Sequence, residues 1–333
     1  MDLILVDNLF GVIKMPYSFK VYISDGKERF EFGNGQKTTK KSFAFSQSLM
    51  DFLYLDIWSH SKLFDKMGNA LYSLYSDKDP KLVEEVKDGL NTLSKVHVYF
   101  EFLRLEWLEK LEQAEKQNYQ DAFELLPRKQ LTHVPMNLST IQRQLMALWN
   151  HVLDILSPDE PMQKKMADYY NPKRDRKLTD PGVFEFKPLH INFEAVDKKT
   201  FTDVLYPKSI YDIIDFFVRE CIRREMQFRV CKHCNKYFAL TGHINTEYCD
   251  RPLDSEGHTC KEMGALRLWE KKKADTPALK AYSKAYKKRF AWIKYGKITK
   301  EAFYEWSEEA RKKRELCVKG DMTLEEFKVW LEN

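Results

Sequence analysis

The sequence has no uninterrupted apolar run of the roughly 18 to 20 residues that a membrane-spanning helix requires. Its opening segment, MDLILVDNLFGVIK (1–14), is apolar but shorter than that. Acidic residues also occur among its first seven positions, where a signal peptide carries positive charge. We therefore expect a cytoplasmic protein with no membrane partner.

The common catalytic and nucleotide-binding motifs are absent as well, because the sequence contains no P-loop, GxGxxG, GxSxG or HExxH. One weak candidate is His243 in the segment GHIN, which lies downstream of a Cys-x-x-Cys pair as in zinc-supported HNH nucleases. Those sites need an acid or a histidine before this histidine, whereas Gly242 stands here. We predict that the protein is not an enzyme and keep an HNH-like nuclease as a remote alternative.

Cysteine is scarce, yet four of the six cysteines are clustered, at positions Cys231, Cys234, Cys249 and Cys260. In a long chain expected in a reducing compartment, clustering of this kind indicates a metal site rather than disulfides. A Cys-x-x-Cys turn lets two thiolates reach one ion, and four protein ligands leave no open position for water. The spacing therefore predicts one structural Zn²⁺ bound by these four cysteines.

The residues around the cysteines predict a compact finger over residues 229–265. The segment KYFALTGHINTEY has aromatic residues at both ends and a glycine near its middle. We therefore expect it to form a hairpin that returns Cys249 to the Cys-x-x-Cys turn. Cys260 then stands at the start of a helix. A Cys-x-x-Cys knuckle, a hairpin and a ligand at a helix N-terminus are the outline of a treble-clef zinc finger.

Two alternatives for the cysteine cluster remain open. His233, His243 and His258 could each replace a cysteine as a ligand, and His258 is favoured among them because it lies two residues from Cys260. The Cys-x-x-Cys pair could also be a redox motif, although such a motif follows a strand in a βαβ pattern and a helix is predicted before this one.

The block CKHCNKYF…EYCDR…HTCKEMGA resembles the treble-clef finger of bacterial CGNR-type proteins, although Cys260 begins Cys-Lys-Glu-Met rather than Cys-Gly-Asn-Arg. A closer resemblance is to a family of uncharacterised bacterial proteins, a domain of unknown function. The shared motifs are R-x-C-x-x-C-x-x-Y-F at 229–238 and T-E-Y-C-D-R at 246–251, followed by a basic helical tail. The resemblance covers roughly the C-terminal third of the chain and implies a zinc-binding intracellular protein, without an activity.

We expect an α+β protein that is mostly helical. Residues 1–160 are predicted to contain a hairpin followed by helices, because VYISDGKERFEF alternates apolar residues around the turn signal Asp25-Gly26. Residues 161–228 are interpreted as a linker, a strand pair and a lead-in helix. Within them we expect 161–182 to be a charged linker or exposed loop, 183–196 to be strand-like, and Ser209 to cap the helix.

Residues 266–333 are predicted to form a basic helical tail with a short repeat. GKITKEAFYEW and GDMTLEEFKVW share a glycine that ends one helix and a threonine that caps the next. Residues 261–333 contain 19 lysines and arginines against 12 acidic residues, a net charge of +7, while the first 260 residues have a net charge of −2. This asymmetry suggests an anionic partner.

Ten basic residues of the tail are candidate contacts to DNA or RNA. They lie in two clusters: Lys280, Lys284, Lys287, Lys288, Arg289 and Lys294, then Arg311, Lys312, Lys313 and Arg314. Basic side chains on one helix face release counterions from a phosphate backbone, and interleaved aromatic residues can stack on unpaired bases. A solvated or protein-binding helix face gives the same pattern.

We therefore predict an intracellular structural zinc-finger protein that acts by binding, with nucleic acid as the favoured partner of the C-terminal helices. The competing hypothesis is a protein-interaction or scaffolding module. In that case the N-terminal region binds another protein and the zinc site is purely structural.

Overall fold

The computed structural model describes residues 17–34, 37–171 and 181–332. The apolar opening segment and residues 172–180 of the predicted linker lie outside these ranges. Helices predominate in the described residues, alongside a five-stranded antiparallel sheet and a two-stranded one. The predicted α+β, mostly helical class is confirmed. Among the helices described, none combines the length and the apolar character that crossing a bilayer needs.

The described residues divide into two compact units. The N-terminal unit contains the described residues up to Arg229 together with Lys236–Gly242, and the C-terminal unit contains Val230–Asn235 and the residues from His243 onwards. Each unit has a hydrophobic core of its own.

The five-stranded sheet belongs to the N-terminal unit and has the strand order β3-β2-β1-β5-β4. Its strands are β1 Ser18–Ser24, β2 Lys27–Gly33, β3 Thr38–Ala44, β4 Ile191–Ala195 and β5 Phe201–Leu205. Asp25 and Gly26 form the two-residue turn between β1 and β2, with φ of 52° and 67°. Two positive φ angles are typical of the hairpin turn that Asp-Gly favours, so the predicted hairpin is confirmed.

The second pair of strands joins the same sheet as the hairpin. β5 pairs antiparallel with β1, and Val21 lies opposite Leu205. Both residues are fully buried, so strands from distant parts of the sequence share one apolar face.

Nine α-helices of the N-terminal unit lie within the described residues, besides a short 3₁₀ helix at Trp58–His60 and a π-helix at Trp149–Leu153. The α-helices are α1 Gln47–Leu53, α2 Ser61–Asp77, α3 Pro80–Val96, α4 Tyr99–Lys116, α5 Ala122–Leu125, α6 Arg128–Thr132, α7 Val134–Leu148, α8 Met162–Tyr170 and α9 Ile210–Arg223. Helix α9 begins as predicted, because the Ser209 hydroxyl accepts a hydrogen bond from the Asp212 N–H.

The interpretation of residues 161–182 as a linker or loop is wrong for its described N-terminal part, where α8 forms. Met162 and Tyr169 are buried, and Met166 between them packs on the core. Their spacing places them on one face of a helix. Lysines and an aspartate lie between these apolar residues, so the apolar helix face is difficult to recognise in the sequence.

The strand-like pattern of residues 183–196 forms a strand only from Ile191 onwards. Side chains of α9 form hydrogen bonds with the backbone groups of Lys187. The buried Asp215 carboxylate accepts a hydrogen bond from the Lys187 N–H at 2.8 Å, and Arg219 Nη2 donates to the Lys187 carbonyl at 2.6 Å. The Lys187 N–H and carbonyl therefore have hydrogen-bond partners without pairing to a neighbouring strand.

The C-terminal unit contains four helices, α10 Cys260–Asp275, α11 Pro277–Lys294, α12 Lys300–Lys319 and α13 Leu324–Glu332. The last three pack on one another around Tyr282, Ala310 and Phe327. The repeat supplies the helix starts, because Thr299 caps α12 and Thr323 forms a reciprocal pair of hydrogen bonds with Glu326 at the start of α13.

A polar cluster is buried in the core of the N-terminal unit. The Glu28 carboxylate accepts a hydrogen bond from the Ser48 N–H at 3.0 Å through Oε2, while its Oε1 has no partner. The Ser48 hydroxyl lies 3.0 Å from Tyr99 Oη, and His97 Nε2 lies 3.0 Å from the Ser48 carbonyl oxygen. Burial raises the pKa of Glu28 to about 8 and lowers the pKa of His97 to about 4.

The raised pKa of Glu28 predicts that the contribution of this side chain to the stability of the N-terminal unit falls with increasing pH. Folded protein keeps this proton up to about pH 8, whereas the unfolded chain loses it near pH 4.5. The stabilising proton is fully present below pH 4.5, and its contribution is lost as pH rises to about 8. Glu28→Gln, which is neutral at every pH, removes this loss.

We compare the free energies of unfolding of Glu28→Gln and the wild type. As the pH rises across this interval, we expect that of the variant to increase relative to that of the wild type by up to about 1.4 kcal/mol per pH unit. Urea unfolding at several pH values measures it. His97 titrates in both proteins, so the comparison isolates Glu28. A difference that does not vary with pH would contradict the assignment.

Candidate metal centre and basic helices

The four clustered cysteines converge in the C-terminal unit. Their Sγ atoms all lie within 4.8 Å of one another, and Cys234 Sγ lies 3.7 Å from Cys249 Sγ. A tetrahedral ion with metal–sulfur bonds of about 2.3 Å separates its sulfur ligands by about 3.8 Å. Three of the four cysteines are buried and Cys234 is half-buried. The group could hold a metal ion.

The Cys-x-x-Cys turn lies between two short strands, β6 Phe228–Val230 and β7 Tyr237–Ala239, which pair with each other. Within the turn, the Asn235 N–H donates to the Cys231 carbonyl at 3.0 Å. Asn235 has a φ of 55°, a left-handed conformation that asparagine tolerates better than most residues. A turn between two strands differs from the redox arrangement, in which the pair begins a helix.

The predicted hairpin within residues 236–248 is wrong, because β7 pairs with the strand before the turn instead of with residues that follow it. Cys249 reaches the cluster by other contacts. The Lys232 N–H donates to the Glu247 carbonyl at 3.0 Å, and the side chains of the same two residues form an ion pair at 2.5 Å. The Cys249 N–H also points at Cys231 Sγ, 3.5 Å away.

Cys260 is the first residue of α10, as predicted. Thr259 and Glu262 form a capping box that fixes the start of this helix. The Cys260 N–H donates to the Arg251 carbonyl at 3.0 Å, and Pro252 and Thr259 form an antiparallel bridge. These contacts close the ten-residue interval before Cys260 into a loop, so the interval does not displace the thiol.

His258 lies in this loop with its imidazole turned to an acidic side chain. Its Nδ1 is 3.1 Å from Asp254 Oδ2, and the side chain is 42% exposed. Asp254 also lies 3.1 Å from Arg267 Nη2. The four thiols form a complete donor set without His258.

Two nitrogen-bearing side chains lie beside the thiols. They are His233, which the sequence offered as an alternative ligand, and Arg251, which it did not single out. His233 Nδ1 is 3.7 Å from Cys260 Sγ, and Arg251 Nη1 is 3.7 Å from Cys249 Sγ. Four thiolates and a divalent ion carry a net charge of −2, which such donors offset. The signal in the sequence that could have identified Arg251 is its position in the block Glu-Tyr-Cys-Asp-Arg, two residues after a cysteine.

The thiols do not ionise equally in the absence of a cation. Burial alone raises the pKa of Cys231, but the N–H groups of Cys234, Cys249 and His233 outweigh it and lower that pKa to about 7. Burial and the neighbouring thiols raise the pKa of Cys260. Binding of a cation favours the thiolate form of all four and therefore releases protons.

The candidate nucleic-acid residues separate into two sets. Lys280, Lys284, Lys287, Lys288 and Lys294 are exposed along α11. Arg289 instead stacks on Trp306, with its guanidinium 4.8 Å from the ring centre.

The second cluster is already partnered within the C-terminal unit. Arg311 donates a hydrogen bond to the Tyr282 hydroxyl oxygen, which raises the pKa of Arg311, and the Arg314 guanidinium lies 5.3 Å from the centre of the Tyr282 ring. Lys313 lies 5.3 Å from the centre of the Trp330 ring, and Lys312 pairs with Glu308 at 3.7 Å. His243, the nuclease candidate, is exposed in a turn.

Metal analysis of purified protein tests the thiol cluster. We expect about one metal ion per chain after purification without chelator, because four converging thiols make a site with an affinity typical of structural metals. Cys260→Ser removes one ligand, so the variant should retain less than half of that metal. Cys317→Ser, which alters a half-buried cysteine outside the cluster, is the matched control and should retain all of it. Less than about 0.5 ion per wild-type chain would contradict the site.

A second prediction concerns the close contact of α10 with the rest of the finger. A Cβ on Gly264 would lie 2.7 Å from Tyr248 Cδ1 and 3.1 Å from His233 Cβ. Gly264→Ala should therefore destabilise the finger by about 1–3 kcal/mol and accelerate metal release to a chelator. Gly242→Ala is the control, because no atom lies within 4 Å of its new Cβ. Equal release rates for the two variants would contradict this packing.

The C-terminal part of the chain is similar to a family of unknown function. Residues 188–329, which include the four cysteines and the helices after them, match the model of a family of unknown function, DUF6076. No curated protein and no solved structure matches the chain. The match supports the resemblance to an uncharacterised domain and assigns it no activity.

Proposed function

We propose that this protein is a zinc-stabilised binding protein whose C-terminal unit binds the phosphate backbone of a nucleic acid. The observation that carries the proposal is the set of exposed lysines on α11 that have no carboxylate partner. The metal has a structural role in this proposal, and the lysines supply the binding surface.

Zinc is the metal that best fits four thiolates within a tetrahedral spacing. All four ligand positions are taken by protein, so the ion has no site for water and supports the fold. All six cysteines are free thiols, which fits a reducing compartment such as the cytoplasm. The metal analysis described above identifies the ion, and iron in place of zinc would overturn this step.

The lysines of α11 remain available for a partner. Among the described residues, Lys280, Lys284, Lys287 and Lys294 form no ion pair, in contrast to Lys312. Unpaired lysines keep their full charge. When they bind a phosphate chain they displace the cations condensed on that chain, and this counterion release is the main source of affinity in sequence-independent binding.

Exposed aromatic side chains favour a single-stranded partner. Phe290, Tyr295 and Tyr304 are between 57% and 71% exposed. Phe290 and Tyr304 both contact the buried ring of Phe303, with centroid distances of 5.6 Å and 5.8 Å, which fixes their positions. Rings held in this way can stack on unpaired bases, whereas bases in a duplex are already stacked.

A protein partner is the second candidate, and one observation in the N-terminal unit favours it. Phe193 and Phe201 form an exposed aromatic pair on β4 and β5, and β4 is an edge strand. Exposed edges of this kind pair readily with other chains. Binding through this surface should vary little with salt, whereas phosphate binding should weaken steeply.

The proposal predicts salt-dependent binding of labelled single-stranded DNA or RNA. Replacing Lys280, Lys284, Lys287 and Lys288 with alanine should lower the slope of log K against log salt by about 3, because each phosphate contact to a single strand contributes about 0.7. Fluorescence anisotropy across a salt series measures both slopes.

The matched control carries alanine at four exposed helical lysines of the N-terminal unit, Lys62, Lys95, Lys116 and Lys129. It has the same net charge as the α11 variant and should keep the wild-type slope. Absence of wild-type binding at low salt, or equal losses in the two variants, would contradict the proposal.

A further inference from the structure

Helices α11 and α13 enclose an open groove in the C-terminal unit. Its volume of about 720 Å³ falls within the range of roughly 300–1,000 Å³ that is typical of ligand clefts. Lys280, Lys284, Lys287 and Lys288 line it from α11, and Lys328 lines it from α13. The groove therefore concentrates four of the α11 lysines and adds one that is distant in the sequence.

Acidic groups neutralise only part of this charge. Glu332 is the one acidic residue that lines the groove among the residues described, and Lys328 pairs with Glu325 at 2.8 Å. Within the part of the chain that the structure describes, the α11 lysines have no such partner. A positive cleft of this kind attracts an anion and raises its local concentration.

A buried hydroxyl in the groove has no hydrogen-bond partner. Ser283 lines the groove, is 6% exposed, and its Oγ forms no hydrogen bond. A helical serine usually satisfies its hydroxyl by donating to the carbonyl four residues earlier, and Ser283 does not. A buried hydroxyl without a partner costs free energy, and an acceptor oxygen on a ligand in the groove would remove that cost.

Part of the lining of the groove is apolar. Ala281 and Ala285 contribute short side chains from α11, and Leu324 and Leu331 contribute larger ones from α13. Short side chains leave room for a group to approach the α11 backbone, and apolar walls strengthen the attraction between lysine and an anion. Phosphate attached to a sugar matches both features, because its oxygens carry the charge and the sugar carbons are apolar.

We propose that the groove between α11 and α13 binds a phosphate group of the nucleic-acid strand, with Ser283 donating a hydrogen bond to a phosphate oxygen and the lysines supplying the charge. This assignment rests on the proposed function and adds a defined site to it. A general lysine face would bind phosphates anywhere along α11, whereas the groove selects one position.

Ser283→Ala tests the hydrogen bond. Loss of a donor to a charged oxygen should weaken binding of a labelled oligothymidylate about tenfold or more. The melting temperature should stay the same or rise, because the hydroxyl has no partner in the unbound protein. A variant that binds like the wild type would overturn the role of Ser283, whatever its melting temperature.

Two double variants test the position of the site at equal net charge. Lys280→Ala/Lys284→Ala removes two lysines of the groove, and Lys297→Ala/Lys319→Ala removes two exposed lysines of the same unit outside it. The groove pair should lose at least tenfold more affinity than the other pair, because several positive charges act together in the cleft. Equal losses would overturn the groove while leaving phosphate-backbone binding intact. No salt-dependent binding by the wild type would overturn both.

Competition distinguishes the phosphate group from general ionic strength. Inorganic phosphate should displace the oligonucleotide from the wild type more effectively than chloride at the same ionic strength, and this advantage should disappear in Ser283→Ala. Phosphate and chloride that compete equally in the wild type would overturn the assignment. So would tight binding to vesicles containing phosphatidylserine without binding to the oligonucleotide, since the ligand would then be a lipid surface.

Discussion

The C-terminal unit depends on bringing four thiols to within 4.8 Å of one another. Thiolates this close repel each other, and burial of three of them removes the water that would screen the repulsion. A bound cation would change the repulsion into an attraction and would link the Cys-x-x-Cys turn, the segment at Cys249 and the first residue of α10. Since Cys260 is the start of that helix, such an ion would couple the finger to the helical segment that follows.

Positive charge in the C-terminal unit serves two purposes. Arg289, Lys313 and Arg314 lie over aromatic rings of neighbouring helices. These cation–π contacts stabilise the packing of the helices and engage the three cations within the unit. The lysines of α11 have no such contact apart from Lys288, which lies 5.6 Å from the centre of the Trp292 ring. The net charge of the tail therefore overstates the part of it that a partner can bind. What remains is concentrated on one helix and on the groove beside it.

Features that depend on neighbouring residues could be predicted from the sequence. The Asp25-Gly26 turn and the Ser209 and Thr323 caps are of this kind, because a few adjacent side chains determine each of them. The cysteine cluster could be predicted from its residue type and spacing, but not the contacts that bring Cys249 to it. Features that depend on distant segments could not. The pairing of β1 with β5 requires knowledge of the whole sheet, and α8 has only a narrow apolar stripe among charged residues. Ser283 and Lys328 come together only because α13 packs on α11, and no local pattern marks an unsatisfied hydroxyl.

Lysine footprinting of the intact, metal-loaded chain tests the central claim most directly, namely that the C-terminal unit binds nucleic acid through α11 and its groove. Acetylation rates at each lysine are measured by mass spectrometry with and without a saturating single-stranded oligonucleotide. The account predicts slower acetylation at Lys280, Lys284, Lys287 and Lys328, and unchanged rates at Lys319 and at exposed lysines of the N-terminal unit such as Lys62. Unchanged rates along α11, or protection confined to the N-terminal unit, would contradict it.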